Sequence, residues 1–255
     1  MRVQRLNMDN SWRIEFAGKS ILIDPWLKGT EVDYFSWFNT QWHKTNPMKP
    51  AEVPEFDLVI ITQKYPDHYH QETLLDLQPS NLIVPTSIEK SVRKLLPEAQ
   101  VKTFGTSPLQ ISDSTLKLHF IPTKRKIDPI YDALVLENGK ESILMTTHGY
   151  DDNPKWKSYL EKMPPIKLAM TPFNLYKLPF FLGGTVAPGL QAVRRLIEDH
   201  NPQKVTATHD EDKHAKGLVT KFARVTLSPK SSELLKDELF KDRLLTISDY
   251  KIYSI

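Results

Sequence analysis

The sequence predicts a mixed α/β (α+β) fold, a sandwich of mixed sheets with helices on the outside. Two observations predict it. Strand signals fill the first third of the chain and then alternate with helical stretches twice over. Several strands are also continuous apolar runs, such as DLVIIT (57–62) and IKLAMTPF (166–173), which need cover on both faces. A chain of 255 residues, 40% hydrophobic and 25% charged, can bury a sizeable core, and the expectation is one domain spanning 1–255.

The elements follow in order. SWRIEF (11–16) and SILIDPWL (20–27) flank Ala17-Gly18-Lys19, a hairpin signal. After DLVIIT and the polar cluster that ends it a helix begins, and NLIVPT (81–86) is the next strand. Thr86 then reads as the cap of a helix over 87–96, with Glu89 at the capping-box position and Ile88, Val92, Leu95 and Leu96 on one face. STLKLHFIP (114–122), YDALVLE (131–137) and ESILMTTH (141–148) read as strands, with Asn138-Gly139 as a two-residue turn. Helices are expected within 153–163, over 189–201 before Asn201-Pro202, and over 231–240. KVTATHD (204–210) is another buried strand, and 244–255 closes the chain as one or two strands. Residues 28–56 show no clear periodicity but carry Tyr34, Phe35, Trp37, Phe38 and Trp42. So long a connection, rich in aromatic rings, reads either as packing on the core or as a lid or apolar wall for a substrate.

Composition excludes several classes. The net charge of +3 is too mild for a nucleic-acid binder, and Lys124-Arg125-Lys126 is only a short basic turn. With no cysteine there is no disulfide and no thiolate metal site, so His, Asp or Glu must hold any metal. No apolar run reaches the roughly 20 residues of a membrane span, and no leader-like segment opens the chain. The expectations are a cytoplasmic location, a small-molecule substrate, no nucleic acid, no stable membrane insertion, and a homo-oligomer as an option.

Three buried-type strands end in histidine-bearing turns: VIITQKYPDHYH, ILMTTHGYDD and KVTATHDEDK. A fourth, ILIDPW, ends in Asp24. In layered α/β sheets, ligands sit at the carboxyl ends of strands. One such histidine is ordinarily a hydrogen-bonding residue. Together, Asp67, His68, His148 and His209 form a set of three imidazoles and one carboxylate that suits zinc, iron, manganese or nickel. His70 reads as a solvent-facing residue at a helix start, with an extra ligand as the alternative.

With Asp24 in LIDPWL, then TQKYPDH, then the two later strand-end turns, the chain resembles the metallo-β-lactamase superfamily over nearly its whole length. Its style is nearest to the ascorbate-lactonase-like, UlaG-type branch of metal-dependent hydrolases. The resemblance implies a four-layer αββα sandwich. The family's H-x-H-x-D-H signature is degenerate here, as Gln63-Lys64-Tyr65-Pro66-Asp67-His68. The third histidine of the first metal site falls near Arg125, and a guanidinium has no lone pair to offer. The resemblance therefore implies that the first metal site is lost. Asp67, His68 and His209 match ligands of the second site. His148 stands where the family has a bridging aspartate, and a neutral imidazole binds one metal rather than two; Asp151 or Asp152 is the alternative.

The implied function is hydrolysis of a small-molecule ester, lactone or phosphodiester with one divalent metal, zinc first and iron, manganese or nickel as alternatives. Asp67, Arg125 and Tyr65 are the catalytic candidates, with Arg125 supplying the charge of the missing metal. Gln63, Tyr65, Arg125, Trp37 and Lys213 are the candidate substrate contacts, and Asp24 orients a neighbouring histidine. The alternative is a protein of the same fold that binds a ligand without metal or turnover.

Overall fold

Ala17 and Gly18 both adopt positive φ, 53° and 77°, the backbone that a two-residue hairpin turn demands. They join β2 (Trp12–Phe16) to β3 (Lys19–Ile23), with Phe16 opposite Lys19. The computed structural model describes residues 1–105, 107–122, 132–150, 154–182, 184–210 and 212–255. It divides into two compact units.

The first unit comprises Met1–Thr106, Glu211–Lys221 and Ile247–Ile255. Around the hairpin, β1 (Arg2–Arg5) pairs with β2, and β19 (Tyr253–Ser254) pairs with β1. On the other side, β6 (Leu58–Ile60), β7 (Asn81–Val84) and β8 (Gln100–Thr103) continue the sheet in parallel from β3. Parallel neighbours require crossover connections. These are α1 (Gln71–Leu77) between β6 and β7, and α2 (Glu89–Leu95) between β7 and β8. Leu74, Ile88, Val92 and Leu96 pack with Leu22, Val59, Ile61, Leu82 and Val84 of the sheet. Each such side chain contributes roughly 1.5–3 kcal/mol by leaving water. The α2 start differs from the expected capping box. Thr86 lies in a single 3-10 turn, and Ile88 precedes the helix without a side-chain cap.

The 28–56 segment is more regular than its sequence suggests. β4 (Thr30–Asp33) and β5 (Asn39–His43) form a hairpin, and β17 (Lys213–Lys216) adds to β5. Its buried positions are polar (Glu31, Asn39 and Thr40), so no hydrophobic alternation marks the strands. Gly217 ends β17 at φ 122°, where an added Cβ would lie 2.5 Å from the Phe38 carbonyl oxygen. Only glycine lets the two backbones approach so closely.

The second unit comprises Ser107–Asp210 and Phe222–Thr246. Its main sheet runs in the order β16-β13-β12-β11-β10-β9. The strands are β9 (Leu109–Gln110), β10 (Lys117–Ile121), β11 (Ala133–Glu137), β12 (Ser142–Thr146), β13 (Ile166–Pro172) and β16 (Lys204–Thr208). β12, β13 and β16 are mutually parallel. α3 (Pro154–Leu160) follows β12, and α4 (Leu190–His200) precedes β16. Val193, Leu196 and Ile197 of α4 pack with Ala169, Val205 and Phe240, and Asn201 stops the helix in the left-handed conformation at φ 44°. A smaller sheet joins β14 (Leu175–Lys177), β15 (Thr185–Pro188) and β18 (Arg224–Thr226).

Two expectations change here. The β11–β12 turn spans four residues rather than two, since Glu137 faces Ser142. The Asn138 side chain accepts from both Lys140 N and Glu141 N at 3.0 Å and widens the loop. The helix expected over 231–240 is only α5 (Ser231–Leu234), and turns follow it.

Candidate functional site

In the first unit the site residues hang on the exit of β6. The chain leaves Ile60 through buried Thr62 and Gln63 and turns so that His68 N donates to the Tyr65 carbonyl at 2.9 Å. Asp24 leaves the neighbouring strand β3 with φ 45° and is 1% exposed. Its carboxylate accepts from Thr62 N at 2.7 Å and Thr62 Oγ1 at 2.5 Å, and Oδ2 lies 2.8 Å from His68 Nδ1. The Asn10 amide also lies 3.0 Å from that nitrogen. An imidazole that gives Nδ1–H to a carboxylate presents Nε2 as its lone-pair donor. Burial works against charge on His68, but the Asp67 and Asp24 carboxylates outweigh it and raise the pKa to about 8.

The loop before β2 supports this arrangement. Asn7 Oδ1 accepts from the backbone N–H groups of Asp9, Asn10 and Ser11 at 3.0, 2.7 and 2.8 Å. Its Nδ2 donates to Ser11 Oγ and to the Trp26 carbonyl. Ser11 Oγ donates to the Asp24 carbonyl at 2.7 Å. One buried amide thus sets both the Asn10 side and the Asp24 side of His68.

Asp67 is half-buried, and its Oδ2 lies 3.7 Å from His68 Nε2 and 3.8 Å from Lys213 Nζ. Lys213 comes from β17 and also meets the buried Asp9 Oδ2 at 3.2 Å. Lys213, a candidate substrate contact from the sequence, has carboxylate partners, and its side chain is only 9% exposed. Nearby on β4, Glu31 is 1% exposed, and neither of its carboxylate oxygens has a hydrogen-bond partner among the described residues. Burial first, then the charges of Asp67 and Asp33, push its pKa up to about 9. Asp33 is raised by the same two causes, burial and Asp67.

The remaining first-unit candidates are placed differently. Trp37 is 64% exposed and stacks on Phe35 at the β4–β5 tip, with centroids 5.7 Å apart. Tyr65 lies under the Lys64 ammonium at 5.4 Å. His70 is buried rather than in solvent: its Nδ1 accepts from Thr73 N at 3.2 Å and caps α1. Arg125, Asp151 and Asp152 lie outside the described residues.

In the second unit, His148 and His209 follow the carboxyl ends of β12 and β16, parallel strands separated by β13 alone. The two strand ends therefore share one edge of the sheet. Gly149 has φ 118°, and a Cβ there would meet Pro188 Cδ at 2.6 Å, so the turn after His148 is pressed against β15. His209 sits at φ 53° and is 5% exposed, and its carbonyl accepts from Asn174 Nδ2 at 3.4 Å. The two ring centroids are 5.1 Å apart. Two imidazoles on one tetrahedral ion, with metal–nitrogen bonds of about 2.0–2.1 Å, would have centroids about 5 Å apart. The pair has the spacing and donor type of two ligands of one divalent metal.

Sequence reasoning missed Asn7, Asp9, Asn10 and Glu31. None carries a local motif. Only the clustering of Asn7, Asp9 and Asn10 ahead of β2 hinted at a structured loop.

A model of the β-lactamase superfamily domain matches residues 7–149, more than half of the chain. The chain belongs to the β-lactamase superfamily, and its mixed α/β architecture is the metallo-β-lactamase fold. Among solved structures, it is similar to an isothiocyanate hydrolase from Delia radicum gut bacteria, with 14% identity, a TM-score of 0.70, and 100% of this chain and 99% of that chain covered. It is similar to a possible metal-dependent hydrolase from Veillonella parvula, with 13% identity, a TM-score of 0.74, and 100% and 99% covered. It is also similar to a metallo hydrolase from the archaeon Ignicoccus hospitalis, with 15% identity, a TM-score of 0.64, and 100% and 98% covered. At such identities the likeness is one of fold. No curated protein matches the sequence. Among the described residues, no helix is long and apolar enough to cross a membrane.

Proposed function

We propose that the chain is a metal-dependent hydrolase acting on a small-molecule ester, lactone or phosphodiester, of the UlaG-like branch, with one divalent metal in place of two. The reading takes residues 1–255 as one functional domain and zinc as the first choice of metal. Asp67, His68, His148 and His209 are its ligand set. The observation that carries it is the His148–His209 pair, whose 5.1 Å ring spacing suits a shared ion. His68 is the proposed third imidazole of that set. The orientation of His68 by Asp24 supports it too, since a carboxylate behind a ligating imidazole fixes its tautomer and raises its basicity. The fold neighbours include proteins described as hydrolases, among them one for isothiocyanates.

When bound, such an ion supplies Lewis acidity, which polarises a carbonyl or phosphoryl oxygen and brings water within reach as a nucleophile near neutral pH. The chain's own groups do the rest. Asp24 holds the His68 proton on Nδ1. Lys213 offsets the charge that Asp67 and Asp9 concentrate beside His68. Gln63 and Tyr65, in the turn after β6, are the proposed hydrogen-bonding contacts to substrate, and Trp37 is the proposed apolar one. Arg125 is the proposed partner for an anionic part of the substrate. A cytoplasmic location and a small-molecule partner complete the reading.

The Lys213 ammonium beside Asp67 favours a second reading, a ligand-binding protein without metal, because it already gives that carboxylate a cationic neighbour. Elemental analysis separates the two. Protein purified from zinc-supplemented medium is expected to carry close to one metal per chain, and His148→Ala and His209→Ala each lose it. A folded wild-type protein free of metal, inert towards ester, lactone, phosphodiester and isothiocyanate substrates, would overturn the hydrolase reading.

A further inference from the structure

The β15-β14-β18 sheet of the second unit carries an exposed apolar surface that the proposed chemistry does not use. Phe180 is 95% exposed and Phe181 76%, both in the short 3-10 turn after β14. Phe222, Val225 and Leu227, around β18, are 43%, 43% and 66% exposed. Phe181 and Phe222 meet edge to face with centroids 6.5 Å apart, which ties the two segments into one patch. Single exposed apolar side chains need no explanation, but a cluster of them marks a contact surface.

Charge indicates the kind of partner. The charged residues of segments 175–189 and 222–230 are Lys177, Arg224 and Lys230, all positive. Lys177 and Arg224 face each other directly across the β14–β18 ladder. Like charges in that position destabilise a sheet. Neither has an ion pair among the described residues. Lys177 lies three residues before Phe180 and Arg224 two after Phe222, so this pair of cations, with no counterion among the described residues, flanks the exposed phenylalanines along the chain.

We propose that this sheet docks on an anionic lipid bilayer. Phe180 and Phe181 enter the boundary between headgroups and acyl chains, while Lys177 and Arg224 meet the lipid anions. The contact is peripheral. A second copy of the chain fits less well, because a two-fold interface would set the same cations against themselves. A nucleic acid fits less well too, because Lys177, Arg224 and Lys230 are three cations on two short segments, too few for the long basic groove that follows a phosphate backbone.

The test is cosedimentation of the full chain with vesicles of phosphatidylserine and phosphatidylcholine in equal parts, against phosphatidylcholine alone. Wild-type protein is expected to pellet with the anionic vesicles at low salt and to be released as salt rises. Lys177→Ala/Arg224→Ala should bind roughly thirtyfold more weakly, at about fivefold per cation. Phe180→Ser/Phe181→Ser should lose binding while its circular dichroism stays that of the wild type. If that variant does not fold, the cation variant, altered only at exposed positions, decides. The proposal is overturned if wild-type protein does not pellet at low salt, or if folded variants bind as well as wild type. It is also overturned if sedimentation without lipid shows a dimer that Phe180→Ser/Phe181→Ser disperses, or if a single-stranded oligonucleotide is captured where vesicles are not.

Discussion

Glu31→Gln should make the protein more stable relative to wild type as pH rises. In the folded chain the Glu31 carboxyl is buried without hydrogen bonds among the described residues and near Asp67 and Asp33, and its pKa is pushed from 4.5 to about 9. Below pH 4.5 the group is protonated in both folded and unfolded chains, and folding carries no ionisation cost. Between 4.5 and 9 the unfolded chain releases the proton and the folded chain keeps it, so stability falls as pH rises. Each unit is worth about 1.4 kcal/mol, so from about pH 5.5 to about pH 7.5 wild type should lose about 3 kcal/mol that the glutamine variant keeps. A buried glutamine amide has its own cost, but that cost does not vary with pH and cancels in the comparison. The assay is urea unfolding of both proteins across that range, with chelator present so that no ion alters the local charge. A stability difference between variant and wild type that stays constant across the range would refute the reasoning.

Other perturbations test other links. Asn7→Ala removes the acceptor of three backbone N–H groups, and unfolding should show a loss of about 3 kcal/mol or more. Gly217→Ala places a Cβ 2.5 Å from the Phe38 carbonyl oxygen at a positive φ, and thermal unfolding should show a loss of at least about 2 kcal/mol. Asp24→Asn replaces the carboxylate that orients His68, and chelator competition should show metal affinity roughly tenfold to a hundredfold weaker.

Much of the fold is legible because many strands are buried on both faces and appear as unbroken apolar runs. DLVIIT, IKLAMTPF and KVTATHD become β6, β13 and β16. The alternation of helix and strand then follows from parallel pairing. The strands that escaped have polar interiors. β1 buries Gln4 and Arg5, with the Arg5 guanidinium 4.4 Å from the Trp12 ring, and β4 buries Glu31. No hydrophobic period can show where the inward residue is charged. At the site, attention to strand ends singles out Asp24, His68, His148 and His209, because position at a sheet edge is a local property. The roles of Asn7, Asp9 and Glu31 are tertiary: they depend on segments distant in sequence, such as Lys213 on β17 beside Asp9. His70 looked like a solvent residue because a helix start is usually exposed, whereas here its ring is enclosed and serves as the cap.

The central claim is that the proposed ligands Asp67, His68, His148 and His209 hold one divalent ion. X-ray absorption at the edge of the bound metal tests it most directly, because multiple scattering counts imidazole ligands without knowledge of the substrate. The expected spectrum has three imidazole nitrogens at about 2.0–2.1 Å and an oxygen donor. A wild-type spectrum with only oxygen neighbours, or a folded protein that takes up no metal, would contradict the account.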